Sequence, residues 1–593
     1  MCSKKHNPKR TLLLILIFFI LNSTFYIAQA TVRYVSHSGS NTPPYTSWAT
    51  AADSIMSAIN ISVFGDTIYV ANGVYKERID MIPGLNLRGA GMDSCVIDTR
   101  EFQYSSGFYS VRVTDSCYFA GFQIITYDDT HGFGIYILDW NIELVSAVVE
   151  YNKIIEAFRG INITTSSLGF DSDYKLVRMN VITNVQDGIA SAQTAPIITE
   201  NIINPHDDGL VSQIISAPTY INNTIVCEPC FTGYTDFGLV SKLKNNIFYR
   251  ISGGNYGLST YGDTVVNNIV YGAWGDGISG ASSVIKNTHI EKAVNGLDYD
   301  VGGGSPPVFQ YNNLWNNQNN FQDFTPDSTN IYRDPMFVNE DSLDFHLQMY
   351  SPLIDAGDPN ILDKDGSRSD IGLFGGPYGE VYTYRDLAPK PPRNLTAEVD
   401  SNIITLRWDK NTEADFNHYN LYRDTIANFV IDTTKLIASL QDTFYLHLIP
   451  AGIESLYFKL TGVDNQGNES NPSEELAIII TSVNEYPQIV SSYQLYQNFP
   501  NPFNPSTKIS YKLKERGYVK LYVYDVKGEL VSTLVNQFQD AGYYEVEFLA
   551  KNRSRESEVS NRIASGIYIY QIHVIGENNI PVYSDIKKMV YIK

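Results

Sequence analysis

The sequence predicts an all-β protein: a right-handed parallel β-helix followed by two β-sandwich modules. Three observations carry that reading. From Asn152 onward an Asn, a short apolar run, a Gly and a second apolar run recur about every 22 residues. A proline-rich stretch from Ala388 to Leu395 ends the recurrence, and alternating apolar and polar residues follow it. The composition suits strands and turns: 42 Tyr, 42 Gly and 25 Pro in 593 residues, with 43% hydrophobic and 18% charged. At about 100–200 residues per domain, that length implies three or four units.

Residues 1–30 are expected to be a secretory signal peptide. Lys4, Lys5, Lys9 and Arg10 precede the apolar run Leu12 to Leu21, and Ala28-Gln29-Ala30 offers a small-residue cleavage site. The run is short for a bilayer span, and no later stretch reaches about 18 apolar residues, so the mature chain is expected to hold no transmembrane segment. The formal charge is −21 and becomes more negative without the leader's cations. A nucleic-acid partner would need a basic footprint and is not expected.

The helix is assigned to 31–387. The recurrent asparagines are Asn152, Asn180, Asn201, Asn223, Asn246, Asn268, Asn287 and Asn313; the glycines are Gly160, Gly188, Gly209, Gly238, Gly257, Gly277 and Gly296. One repeat cannot bury its own apolar face, but coils stacked at about 4.8 Å can. An Asn at the same turn of every coil can form a ladder of side-chain amides. Asp53 to Asn60 fits a short amphipathic helix covering the open end, where an uncovered coil would be a bare sheet edge. The Asn ladder, the G-I/L-x-S strands and the N-terminal block from Tyr34 to Gly91 together resemble the pectin-lyase-like superfamily of right-handed parallel β-helices. The resemblance implies the fold and says little about chemistry.

Four mature cysteines in an exported chain are compatible with two bridges. Cys95 and Cys117 stand 22 residues apart, about one coil, and are expected to stack; Cys227 and Cys230 form a second close pair. Asp334 to Gly372 reads as the segment closing the helix. Within it Asp363, Asp365 and Asp370 could supply oxygens to Ca²⁺, although the order departs from an EF-hand.

A new pattern occupies 388–485. Leu406 to Trp408, His418 to Arg423 and Tyr457 to Ser470 resemble strands of a fibronectin type III domain, with Trp408 as core aromatic and Tyr457 as the candidate tyrosine-corner residue. From 493 to 593, Tyr496 to Thr507, Lys520 to Gly528, Ala541 to Tyr544, Ala564 to Tyr568 and Lys587 to Lys593 resemble the type A C-terminal sorting domain of the type IX secretion system. That resemblance implies engagement of this machinery and delivery to the outer surface or medium of a Gram-negative bacterium. The insert from Lys551 to Asn561 departs from the usual short loop.

Acidic residues precede several repeat glycines: Asp187, Asp207-Asp208, Asp236 and Asp276. Asp187 and Asp208 lie one coil apart, close enough to share a proton or a cation. Asp187, Asp207 and Asp208 are therefore the candidate catalytic residues. The polygalacturonase group of the resembled superfamily carries a comparable trio but adds a His one coil on, where Cys227 to Cys230 stand here. A lyase would need a base such as Lys242, Lys244, Arg178 or Arg250, and Trp274, Tyr271, Tyr256 and Tyr234 could stack on sugar rings. The expected function is engagement of extracellular polysaccharide, with cleavage as lyase or hydrolase open. The alternative is a non-catalytic adhesin or structural surface protein.

Overall fold

A computed structural model describes residues 30–102, 108–126, 132–139, 146–165, 174–228, 230–237, 240–299, 304–400, 402–450, 452–480, 492–550, 563–576 and 580–592. The leader and the 551–561 insert lie outside the described residues, apart from Ala30. The chain divides into two compact units. One runs to Leu387 and includes Thr412–Ala414; the other comprises Ala388–Asn411 and Asp415–Lys593.

The first unit is a parallel β-helix. Twelve strands, from Val32–Val35 to Val308–Gln310, pair in parallel into one sheet, one strand to a coil. A second, 18-stranded parallel sheet contains the long strands Lys153–Thr165, Val181–Ala192, Ile247–Tyr261 and Ile269–Ala281. Between the sheets runs one continuous apolar core, from Val35 through Ile154, Ile203 and Val265 to Leu314. The helix Ile55–Ile59 adds Ile55, Ala58 and Ile59 to that core, so the predicted cap exists but is shorter than expected. Glu77 accepts from the Ile55 and Met56 amides at 2.6 and 2.9 Å, satisfying donors that its short first turn leaves open.

The turn into the second sheet is built from two residues with different duties. The first is left-handed in coil after coil: Tyr151, Met179, Glu200, Asn222, Asn245, Asn267, Asn287 and Tyr311 all have φ between 50° and 58°. The second is the ladder residue. Asn180 Nδ2 donates to Asn201 Oδ1 at 3.0 Å, Asn201 to Asn223 at 2.9 Å, Asn223 to Asn246 at 3.0 Å and Asn246 to Asn268 at 3.0 Å. Each amide also donates to a carbonyl of the preceding coil, Asn180, Asn201 and Asn268 add one of their own coil, and all five side chains are fully buried.

Two expected ladder members are displaced by one residue. His289 pairs with Ile269 and with Asn313, so Thr288 and Asn312 hold the ladder position. Thr288 N donates to Asn312 Oδ1 at 2.9 Å, and Asn312 continues to Asn330. Asn287 instead fills the left-handed position, and Asn313 lies one residue past the ladder.

The glycine column also shifts once. Asp208 pairs with Thr232, which aligns Gly209 with Gly233; Gly238 lies outside the described residues. A Cβ at Gly134, Gly160, Gly188, Gly209, Gly233, Gly257 or Gly277 would sit 2.3–2.7 Å from the next glycine's carbonyl oxygen. The column is glycine because the coils approach too closely there for any side chain.

The cysteines follow the geometry of the coil. Cys227 and Cys230 are bridged. Cys95 and Cys117 are free and buried: Cys95 starts a strand of the second sheet, whereas Cys117 precedes one of the first, so they do not stack. Burial pushes their thiols up to about 12 and about 11, which leaves them unreactive near neutral pH.

The segment expected to close the helix runs along its flank. Phe337, Phe345, Leu347, Leu353 and Ile371 form a second core with Ile247, Ile269 and Tyr271. The left-handed asparagines hold it: Asn245 Nδ2 donates to Leu373 O and Gly375 O, and Asn267 Nδ2 to Asp370 O and Gly372 O. Asn287 Oδ1 accepts from Asp358 N at 2.7 Å. The recurring Asn-Asn doublets thus carry one residue for the interior ladder and one for this strap.

The second unit contains antiparallel sheets of three, four, three and four strands, consistent with two sandwich-like modules. Trp408 lies in the first module's core, T-shaped to Tyr419 at 5.5 Å. The fully buried tyrosine there is Tyr419, whose hydroxyl accepts from Asn411 N; Tyr457 is only half-buried. The second module packs Leu521, Val523, Tyr570, Ile572 and Met589 into its own core.

Candidate functional site

Strand register brings three of the predicted acids, Asp187, Asp208 and Asp276, into one column on the second sheet. Arg159 pairs with Asp187, and the aligned glycines that follow place Asp208 opposite Asp187. Thr232, Tyr256, Asp276, Asn295 and Asn319 continue the column on later coils. Asp236 does not belong: it pairs with Ser212, four residues beyond the column, because Gly233 rather than Gly238 carries the glycine stack. Neighbouring backbones are about 4.8 Å apart in this direction.

Arg159 and Asp187 form a largely buried ion pair, Nε to Oδ2 at 3.0 Å. Arg159 Nη1 also donates to Asn162 Oδ1 at 3.1 Å. Asp207 accepts from Gln186 Nε2 at 3.1 Å, and Asp208 from Thr235 Oγ1 at 3.1 Å. Burial raises the Asp187 carboxyl despite Arg159. Burial, then the charges of Asp187 and Asp207, pushes Asp208 up to about 6. An acid with that value beside an ion-paired carboxylate can both give and accept a proton near neutral pH. Asp187, Asp207 and Asp208 are thus brought together. Arg159, Gln186 and Thr235 complete the cluster; they were not foreseen, and only the coil register identifies them.

The other candidates lie elsewhere. Trp274, Tyr234 and Tyr271 are core residues, buried rather than available to a sugar. Lys242 and Lys244 stand on strands of the first sheet, Arg178 is paired with Glu150, and Arg250 is buried over the Trp274 ring at 4.9 Å. Among the described residues of the acidic column no histidine is present; His206, exposed, directly precedes Asp207.

Asp363, Asp365 and Asp370 are engaged in turns. Asp363 accepts from the Gly376 and Asp370 amides, Asp365 from Ser367 N and Oγ, and Asp370 from Asp355 N and Tyr384 Oη. Burial pushes Asp370 up to about 6 and raises Asp363, whereas the Ser367 hydrogen bonds lower exposed Asp365. Among the described residues no helix is long and apolar enough to cross a membrane.

No protein-family model matches the chain, and no curated protein matches it. Solved structures similar to it include XylC in complex with xylose, at 12% identity over 52% of this chain and 87% of that one, TM-score 0.33. The catalytic domain of a GH87 α-1,3-glucanase in complex with nigerose is 13% identical over 54% of this chain, TM-score 0.34. The chain spans 61% of that domain. The A-module of Azotobacter vinelandii mannuronan C-5 epimerase AlgE6 is 12% identical over 46% of this chain and 91% of that one, TM-score 0.29. Likeness at this level decides nothing about activity.

Proposed function

We propose that this is an exported protein that engages extracellular polysaccharide along the outer face of its second sheet, with Asp208 and Asp187 as its proton-handling pair. The observation that carries the reading is Asp208, pushed up to about 6, one coil from Asp187, which is ion-paired to Arg159. Near neutral pH the protonated share of Asp208 would donate to a glycosidic oxygen. Arg159 would hold Asp187 as the carboxylate on the adjacent coil, acting as base or nucleophile. Backbones about 4.8 Å apart put the two carboxyl groups within reach of a retaining arrangement, which needs about 5 Å between them. Asp207, tied to Gln186, would tune the pair by its charge.

The sorting-domain resemblance of 493–593 supports delivery through the type IX machinery to the outer surface or the medium of a Gram-negative bacterium. A second reading is favoured by Arg159 and Thr235, which already satisfy much of the acidic cluster from within the protein. On that reading the chain is an adhesin or structural surface protein.

The deciding experiment incubates the full chain, wild type and Asp208→Asn, with uronic-acid and neutral polysaccharides. Binding, new reducing ends and absorbance of unsaturated products are followed. Cleavage lost in the variant with binding retained supports the pair. Equal cleavage by both removes it, and absence of both cleavage and binding favours the surface-protein reading.

A further inference from the structure

A groove of about 500 Å³ lies between the turns at Asn222–Thr224 and Asn245 and the strap residues from Lys364 to Val381. It shares no residue with the acidic column. Its volume falls within the range typical of small-molecule sites. Two aromatic rings line it, each fixed from one side. Phe374 stacks on the His346 ring at 3.8 Å and 10°, and His346 is held by Asp344 at 2.5 Å. Tyr378 receives the Lys244 ammonium over its ring at 4.7 Å. Asn245, one coil beyond Asn222, is committed to strap carbonyls. Asn222 and Thr224 are the polar groups of the helix wall, and Lys364 and Glu380 those of the strap.

We propose that this groove is a binding site for a short neutral oligosaccharide. Ring faces suit the C–H faces of pyranose units, while an amide, a hydroxyl, an ammonium and a carboxylate suit paired hydroxyl groups as donors and acceptors. The lining carries one cation and one anion, so it offers no surplus charge for a uronate or a phosphate. Asn222 Nδ2 donates to Tyr378 O at 3.4 Å and Glu380 lies 3.9 Å from His346 Nε2, but the Asn222 side-chain oxygen, Thr224 and Lys364 would be covered unpaired by a purely apolar ligand, which argues against one. Pinned rings lose little freedom on binding, so the site is preorganised.

Calorimetric titration of the full chain with cellohexaose, xylohexaose, mannohexaose and maltohexaose tests the proposal. One of the four is expected to bind. Tyr378→Ala is expected to weaken it at least tenfold and Asn222→Ala at least threefold, whereas Tyr378→Phe keeps the ring and the affinity. Asp208→Asn, in the acidic column, is expected to leave this binding unchanged, which separates failure of the groove from failure of the acidic pair. The proposal is overturned if none of the four binds, if binding survives Tyr378→Ala, or if Asp208→Asn abolishes it.

Discussion

Replacing Asn201 by Ala in the middle of the ladder removes five hydrogen bonds at once. Asn201 Nδ2 donates to Val177 O and Thr199 O at 3.0 Å and to Asn223 Oδ1 at 2.9 Å; its Oδ1 accepts from Asn180 N and Nδ2, both at 3.0 Å. The consequences differ by atom. Asn223 Oδ1 keeps the Asn201 backbone amide, and Asn180 Nδ2 keeps Val149 O and Arg178 O. Asn180 N loses the acceptor its geometry selects, deep inside the coil stack. An orphaned buried donor costs about 1–3 kcal/mol, and each exchanged bond about 0.5–1.5 kcal/mol. With the small cavity left behind, the expected loss is about 3–5 kcal/mol. Denaturant unfolding of the full chain measures it. Hydrogen exchange over 174–228 should locate it, with the Asn180 amide losing protection first. A loss under about 1 kcal/mol, or unchanged protection at Asn180, would refute the claim that the ladder holds the coils in register.

Four further outcomes are expected. Because the folded Asp208 value is raised to about 6 above its ordinary 3.8, the folded state binds more protons than the unfolded state between those values. Stability should therefore fall as pH rises from about 4 to about 6, and Asp208→Asn should remove that slope in pH-resolved melting curves. Gly209→Ala would place a Cβ 2.5 Å from Gly233 O and 2.6 Å from Ile225 Cγ2, so denaturant unfolding should show a loss of about 2–4 kcal/mol. Added Ca²⁺ is expected to leave Tm unchanged, since Asp363, Asp365 and Asp370 already hold their turns; a rise in Tm that Asp370→Asn abolishes would put a cation there. Deleting 493–593 is expected to trap the protein in the periplasm, and fractionation showing equal surface delivery of full-length and truncated chains would refute the sorting assignment.

The fold was legible because its repeat is enforced by side chains with few substitutes, Thr288 being the exception in the ladder. Only an amide side chain both donates along the ladder and accepts from the coil before it, and only glycine fits where successive carbonyls approach within a Cβ's reach. What misled was counting one Asn per coil. Asn287 matches the spacing only approximately, being 19 residues after Asn268, and it holds the preceding left-handed position. The doublets Asn222-Asn223, Asn245-Asn246 and Asn267-Asn268 announce two roles. The second role depends on a strap more than a hundred residues downstream, and periodicity cannot register so distant a partner. Cys95 and Cys117 show the same limit: a separation of one coil length says nothing about which side of the coil each residue occupies.

Chemistry was less legible because a site on a solenoid is made by register, one coil against the next. Asp187 and Asp208 could be paired from sequence since both immediately precede a stack glycine. Arg159 occupies the same pre-glycine position, before Gly160, yet a search for acids passes over it. Its guanidinium partly offsets the burial that raises Asp187, while the partners of Asp208 are the hydroxyls of Thr235 and Thr232 rather than a cation. On the proposed reading, that asymmetry would separate two otherwise similar aspartates into a proton donor and its charged neighbour. Arg159→Gln should therefore raise Asp187 further and, with less charge on Asp187, lower Asp208. A carboxylate-resolved titration in which Asp208 stays near 6 in that variant would mean that burial and Asp207 set its value without Asp187, and the two acids would then not work as a pair.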